Sequence, residues 1–378
     1  MAKTRSEKRM RALRLLATAA LCFGLAFAFA GCTQGQPQGE SGSDAKTDQS
    51  AQAETRTFTD SAGRTVEVPA QIDRIAPAGH TATQILLTMA PEKMVTVSQT
   101  LTESQAKYLG SDYATLPVTG AAFGAKGDLN KEAVAASGAQ ILIDTGELKD
   151  GVKEDLDTIQ EQLGIPVVVI ETKMEDYGAA YEMLGELLGM EDRGKELSDY
   201  CKAAYDETVS VMAKIPEDQR VSVAYLLGDK GTNTIAKNSY QGQVVDLVAN
   251  NVADLGKVSG SGTGVEISME QLAIWNPQVI LFQENSIYDN VGNDAAFAEL
   301  DAIKNGQYYE VPGTPWCWLN NPPTVNQVLG MQWLPRLLYP DQYDNDMYKT
   351  VASYFKTFYG YDLSESEFNE IAANAQVK

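Results

Sequence analysis

One pattern occurs twice in this chain, once in each half: a glutamate opens a short helical stretch that leads directly into an apolar strand. The first copy runs from Asp128 through Glu132 and Gln140 to Ile143, and the second from Glu266 through Glu270 and Gln278 to Phe282. In both, the glutamine stands eight positions after the glutamate, and the two glutamates are 138 residues apart. In 378 residues, too many for one ordinary domain, this spacing implies two similar α/β lobes rather than a tandem array. Each glutamate then holds an equivalent place on its own lobe.

The amino-terminal segment indicates where such lobes work. Lys3, Arg5, Lys8, Arg9, Arg11 and Arg14 precede an apolar run from Leu15 to Ala30, which ends in Phe29-Ala30-Gly31-Cys32. Residues 1–31 read as a signal peptide, outside the fold. The small residues before Cys32 look like a bacterial lipobox, in which that cysteine is acylated. Residues 33–55 hold no large apolar side chain and cannot bury enough surface to offset their ordering entropy. They read as a flexible tether spanning roughly 25 Å on average. No later run approaches 18 consecutive apolar residues, so no transmembrane helix is expected. The expected location is the extracytoplasmic face of a bacterial cell membrane, with lipid as the only anchor.

Charge agrees. Without residues 1–31 the chain keeps 24 basic against 50 acidic residues, a formal charge near −26. So acidic a body repels nucleic acid, and no nucleic-acid partner is expected. Cys22 leaves with the signal peptide and Cys32 takes lipid, leaving Cys201 and Cys317. A core of this size needs no staple, so these two read as free thiols.

Along the chain, Arg64–Pro69 alternates like a strand, a helix follows from about Thr81 to Met89, and Val95–Val97, Ile141–Ile143 and Ile165–Ile170 read as strands. Continuous Val/Ile runs bounded by turns indicate parallel strands buried on both faces. A helix from Asp176 to Leu188 ends at Gly189, and apolar spacing from Asp192 to Ile215 gives a second, a rod about 35 Å long. Val221–Leu227, Val279–Phe282 and Tyr308–Val311 then supply a second sheet, and Tyr348–Tyr359 an amphipathic helix. The expected fold is α/β: two doubly wound lobes, 56–173 and 217–378, joined through a helical region, 174–216, with a single long rigid helix and a ligand cleft between the lobes.

Several segments, in order, carry a family likeness: Asp60–Pro69 with Arg74-Ile75, the paired glutamate segments, Leu163–Val168, Leu188–Arg193 and Pro315–Pro340. Over residues 56–378 the chain resembles the helical-backbone class of ABC-importer substrate-binding proteins, which includes binders of ferric siderophores, cobalamin and haem. The resemblance implies that Glu132 and Glu270 dock into arginine pockets on the two permease subunits, which work with a cytoplasmic ATPase. A first-turn carboxylate also suits the positive end of a helix dipole, and the two roles are compatible.

Ligand binding is expected between the lobes, at loops after the carboxyl ends of strands. The candidates are His80, Thr81, Phe123 and Glu147 on the first lobe, within the segments Ala78–Thr81, Gly120–Gly124 and Asp144–Glu147, and Lys230, Tyr240, Glu284, Trp316, Trp318 and Asn320 on the second. The core is the alternative place for Trp316 and Trp318, and at alternate positions of an extended stretch only one of them faces the cleft. One histidine cannot build an imidazole-rich site for bare zinc or manganese, so no direct metal ligands are expected. Beyond the central helix only Arg220 and Arg336 remain to pair a highly anionic catecholate complex. An aromatic, amide-rich cleft suits a neutral iron(III) chelate of the siderophore type. Cobalamin, haem held by His80 or a tyrosine, and an oxyanion such as molybdate held by backbone N–H groups stay open. No catalysis and no cofactor are expected: there is no Gly-x-Ser-x-Gly elbow, no Walker loop and no spare histidine for a triad. Gly260–Gly264 reads as a mobile loop. A ligand sensor serving a signalling partner is the alternative from a different class.

Overall fold

A computed structural model describes residues 54–123, 127–256, 263–343 and 346–376. The signal peptide, Cys32, nearly all of the tether and residues 260–262 of the glycine-rich loop lie outside the described residues. The body opens with an antiparallel hairpin of β1 (Thr55–Thr59) and β2 (Thr65–Pro69). The sequence pattern marked β2 but not its partner.

The first lobe is a parallel sheet in the order β3 (Ile75–Pro77), β4 (Ile141–Gly146), β5 (Val167–Glu171). The connections hold α1 (His80–Met89), α2 (Glu103–Leu109), α3 (Lys131–Ser137) and α4 (Val152–Leu163). The expected strand at Val95–Val97 is only a pair of isolated bridges, Ile75 with Met94 and Val97 with Val118. Its amides divide between two neighbours, Val95 N–H donating to Ile75 O and Val97 N–H to Pro117 O, so no continuous ladder forms.

The second sheet runs β11 (Tyr308–Glu310), β10 (Val279–Phe282), β6 (Ser222–Leu227), β7 (Asn233–Thr234), β9 (Val265–Glu266), and β8 (Asn250–Asn251) also pairs with β6. The β11, β10, β6 and β8 pairings are parallel; those of β7 with β6 and β9 are antiparallel. Helices α7 (Gln243–Val248), α8 (Met269–Trp275) and α9 (Asp301–Lys304) lie among the connections.

Strand alternation explains the layering. Ile141, Ile143, Val168 and Ile170 face one core while Leu142, Val167 and Val169 face another. In the second sheet Val223, Tyr225, Val279 and Leu281 join that same first core, and Ala224, Leu226, Ile280 and Phe282 face a third. One face of each sheet therefore belongs to a continuous apolar interior shared by both lobes.

That interior also takes in α5 (Tyr177–Leu188) and α6 (Glu191–Met212), with Gly189 closing α5 in the left-handed region at φ 66°. The two helices pack through glycines: a Cβ at Gly194 would lie 2.6 Å from Tyr181 O and 3.0 Å from Gly185 Cα. Gly194→Ala gains about 1 kcal/mol of helix propensity, yet its methyl meets rigid backbone, for which overpacking costs about 1–3 kcal/mol. The substitution is expected to be net destabilising, read as a lower urea midpoint; an unchanged or higher midpoint would show that the crossing tolerates separation.

The long helix is not the only tie between lobes. After α10 (Gln327–Leu338), helices α11 (Met347–Tyr359) and α12 (Glu365–Ile371) return to the first lobe, where α11 packs on α1 and α2. Tyr108 of α2 meets Phe355 and Tyr361 edge-on at 5.3 and 5.0 Å, and Lys107 pairs with Glu367 at 2.8 Å. Arg193 of α6 donates to Thr88 O and Thr357 O, fastening α1 and α11 to the same helix.

Candidate functional site

The repeated glutamine has the same structural task in both lobes. Gln140 Oε1 accepts from Asp73 N–H at 2.7 Å and Arg74 N–H at 2.9 Å, just ahead of β3; Gln278 Oε1 accepts from Ser222 N–H at 2.9 Å, at the start of β6. Each pins the helix–strand unit to the neighbouring strand. Eight residues earlier, Glu132 and Glu270 are exposed in the first turns of α3 and α8, seven-residue helices capped by Asn130 and Ser268. Neither glutamate makes an ion pair among the described residues. Its own helix N–H and the Ser268 hydroxyl lower the pKa of Glu270.

The carboxyl ends of the first-lobe strands bring several expected residues together. His80 opens α1, exposed, with Nδ1 2.9 Å from Ser98 Oγ. Thr81 Oγ1 donates to Thr145 O at 2.6 Å, which ties the first turn of α1 to the end of β4 beside the exposed Glu147. No side chain caps α1, and its first turn holds no acidic residue, so its amide donors stay available. Phe123 is half-buried against the core on the outer face of the sheet.

Across from these, Tyr240 of the second lobe donates its hydroxyl to Thr172 O, just past β5, at 2.8 Å. Burial first, then the carboxylates of Glu147, Glu171 and Asp144, raise the Tyr240 pKa to about 12. Asp144 opens the expected Asp144–Glu147 segment. It is partly buried near the end of β4, and burial pushes its carboxyl up to about 7 against the pull of Thr145 N–H and Lys149.

On the second lobe Lys230 is exposed after β6, with no ion pair among the described residues. Glu284 follows β10 so close to Gly313 that a Cβ there would overlap its carboxylate; burial, then Glu310, raises its pKa.

The two tryptophans depart from expectation. Trp316 is 5% exposed and Trp318 0%, both inside the shared core, so neither indole forms a cleft wall. Alternation holds for an extended strand, but this segment curls. Trp318 N–H donates to Pro312 O, the Asn326 amide reaches Cys317 O, and Gln327 Nε2 donates to Leu319 O, turning both rings inward. Trp318 Nε1 donates to Thr314 O at 3.2 Å, and its ring lies edge-on to Trp333.

Asn320 is also wholly buried: Oδ1 accepts from Tyr225 Oη at 2.8 Å and from Cys317 Sγ at 3.3 Å, while Nδ2 finds no acceptor among the described residues. The Thr145 and Thr172 hydroxyls are likewise buried without a partner. Cys201 and Cys317 are both free thiols. Among the described residues no group of three or more His, Cys, Asp or Glu is placed to hold a metal ion. A concavity of about 640 Å³ lies elsewhere, between α6, α10 and α11, where Arg336 pairs with Glu207.

Two α/β lobes braced by a long helix, with neutral donors at the strand ends, form the architecture of a ligand-capturing protein. The chain belongs to the periplasmic binding protein family, whose model matches residues 75–315, and the family consists of substrate-binding components of transporters rather than enzymes. It is 25% identical over 332 residues, 80% of this chain and 91% of the relative, to the molybdate-binding protein MolA of Haemophilus influenzae. An ABC transporter solute-binding protein from Sulfurospirillum deleyianum superposes with a TM-score of 0.77 at 26% identity, covering 84% of this chain and 98% of that one. A TroA-like periplasmic binding protein, FepB, from Veillonella parvula superposes at 0.63 and 18% identity, with coverages of 82% and 97%. The protein is thus an extracytoplasmic binding component of an ABC importer. No helix among the described residues is long and apolar enough to cross a membrane.

Proposed function

We propose that the ligand is a small oxyanion of the molybdate kind, captured between the lobes and passed to the permease by a lipoprotein tethered through Cys32. The observation that carries this reading is the uncapped amino end of α1, free of first-turn carboxylates and joined through Thr81 to the end of β4. Helix N–H groups hold an oxyanion without a balancing cation. The likeness to a molybdate-binding protein supports the same reading.

A second reading keeps the iron(III) chelate. Asp144, Glu147 and Glu284 place carboxylates on both lobes, a field that favours a neutral or cationic complex over a dianion. Calorimetric titration of the mature protein with molybdate, a ferric hydroxamate, a ferric catecholate, cobalamin and haemin separates the two. Saturable binding of molybdate alone is the expected outcome. A response confined to a ferric chelate would replace the oxyanion with that chelate.

The docking role of Glu132 and Glu270 belongs to this reading. Two exposed carboxylates, on equivalent rigid helices and without intramolecular cations, suit a partner presenting two arginines.

A further inference from the structure

We infer that Tyr240 is the latch of the cleft, a positioning residue that sets how long the ligand is held rather than a residue that contacts it. The inference rests on the ligand-binding reading above but not on which ligand is bound.

The contacts joining the lobes divide into two kinds. Those of the helical layer are extensive: the shared core around α5, α6 and α10, the α11–α12 return onto α1 and α2, the Lys107–Glu367 pair, and Tyr177 Oη donating to Gln327 Oε1 at 2.7 Å. Opening the cleft cannot break these without unfolding the centre of the molecule. The Tyr240 contact is of the other kind. It runs from the connection between β7 and α7 to a loop carbonyl past β5, and its hydroxyl is already used by the protein. The carboxylates that act on Tyr240, those of Asp144, Glu147 and Glu171, are all on the first lobe, which places the ring over the ends of β4 and β5. A neutral hydroxyl–carbonyl bond of this sort contributes modestly, which suits a contact that must break on every cycle. Were the lobes fastened there by a buried ion pair, release would be slow; with no contact, closure would add little to retention.

Losing one such bond shifts the closed-to-open ratio about fivefold, and the change is expected in dissociation because the open form is the one that ligand enters. The test is Tyr240→Phe in the mature protein, which keeps the ring and deletes only the donor. Two readouts apply. In stopped flow with molybdate, koff is expected to rise about fivefold, with kon no lower than in the wild type and the melting temperature nearly unchanged. In hydrogen exchange on ligand-free protein, amides of 147–148 and 172–173 are expected to exchange faster, with those of β4 and α6 unaltered. Unchanged exchange and unchanged koff would overturn the latch. A fall in kon with koff constant would also overturn it, by making Tyr240 a ligand contact. If the wild type does not bind molybdate, the oxyanion reading fails while the exchange experiment still decides the latch.

Discussion

A Glu132→Ala/Glu270→Ala protein is expected to bind its ligand with unchanged affinity and to support no uptake. Both side chains are exposed, so their removal leaves no cavity and strands no partner. The helices that carry them are held independently, by the Asn130 and Ser268 caps and by the Gln140 and Gln278 bonds to neighbouring strands. Loss of fold is therefore not an explanation available for loss of transport. Each carboxylate that meets an arginine contributes about 1.5–3 kcal/mol through charge-assisted bonds, so removing both weakens docking by two to four orders of magnitude. Single variants should be intermediate, and the docking that remains should become less sensitive to salt, because fewer ion pairs are left to screen. Calorimetry for ligand affinity and ligand-stimulated ATPase activity of the reconstituted importer read the two halves separately. Normal stimulation by the double variant would remove the docking role and leave both residues as helix-terminal charges.

Much of this architecture was legible because its causes are local. Val/Ile runs at 141–143, 167–170 and 279–282 need two buried faces, and Gly189 ends a helix because it alone adopts φ 66° without strain. The repeated Glu-x₇-Gln spacing was visible as a repeat, although the glutamine's bond to the adjacent strand was not, since that strand lies far away in sequence. The features missed are those decided by which surface covers which. The apolar stripe of 347–359 requires a cover, but nothing in it says that the cover is α1 and α2 of the other lobe. Trp316 and Trp318 read as cleft residues from their place in a loop past a strand, with the core as the alternative; the Asn326 and Gln327 side chains that curl the segment follow later in the chain. At the strand ends, the positions of His80, Thr81, Asp144 and Glu147 follow from the order of strand and loop, whereas the meeting of Tyr240 with the Thr172 carbonyl depends on packing between distant segments.

Asp144→Asn is expected to stabilise the ligand-free protein by a margin that grows with pH. Thr145 N–H donates to the Asp144 carboxyl and Lys149 is the one cation that acts on it. Burial wins, and the group titrates at about 7 rather than 3.8. The sign follows from proton counting. Between those values the folded chain holds a proton that the unfolded chain has released, so the contribution is fully present below pH 3.8 and is lost as pH rises through 7. At about 1.4 kcal/mol per pH unit, the cost of carrying this aspartate reaches about 4 kcal/mol at pH 8 and less than half of that at pH 5. Asparagine never ionises and avoids it, so urea midpoints of variant and wild type should diverge from pH 5 to pH 8. A constant difference across that range would show that the carboxyl is ionised throughout. The same proton bears on the ligand. Ionised Asp144 adds a negative charge beside the amino end of α1, so oxyanion affinity in the wild type should decline above pH 7 and stay level in Asp144→Asn. A neutral chelate would show no such slope, and pH dependence of affinity thereby distinguishes the two ligand classes by charge alone.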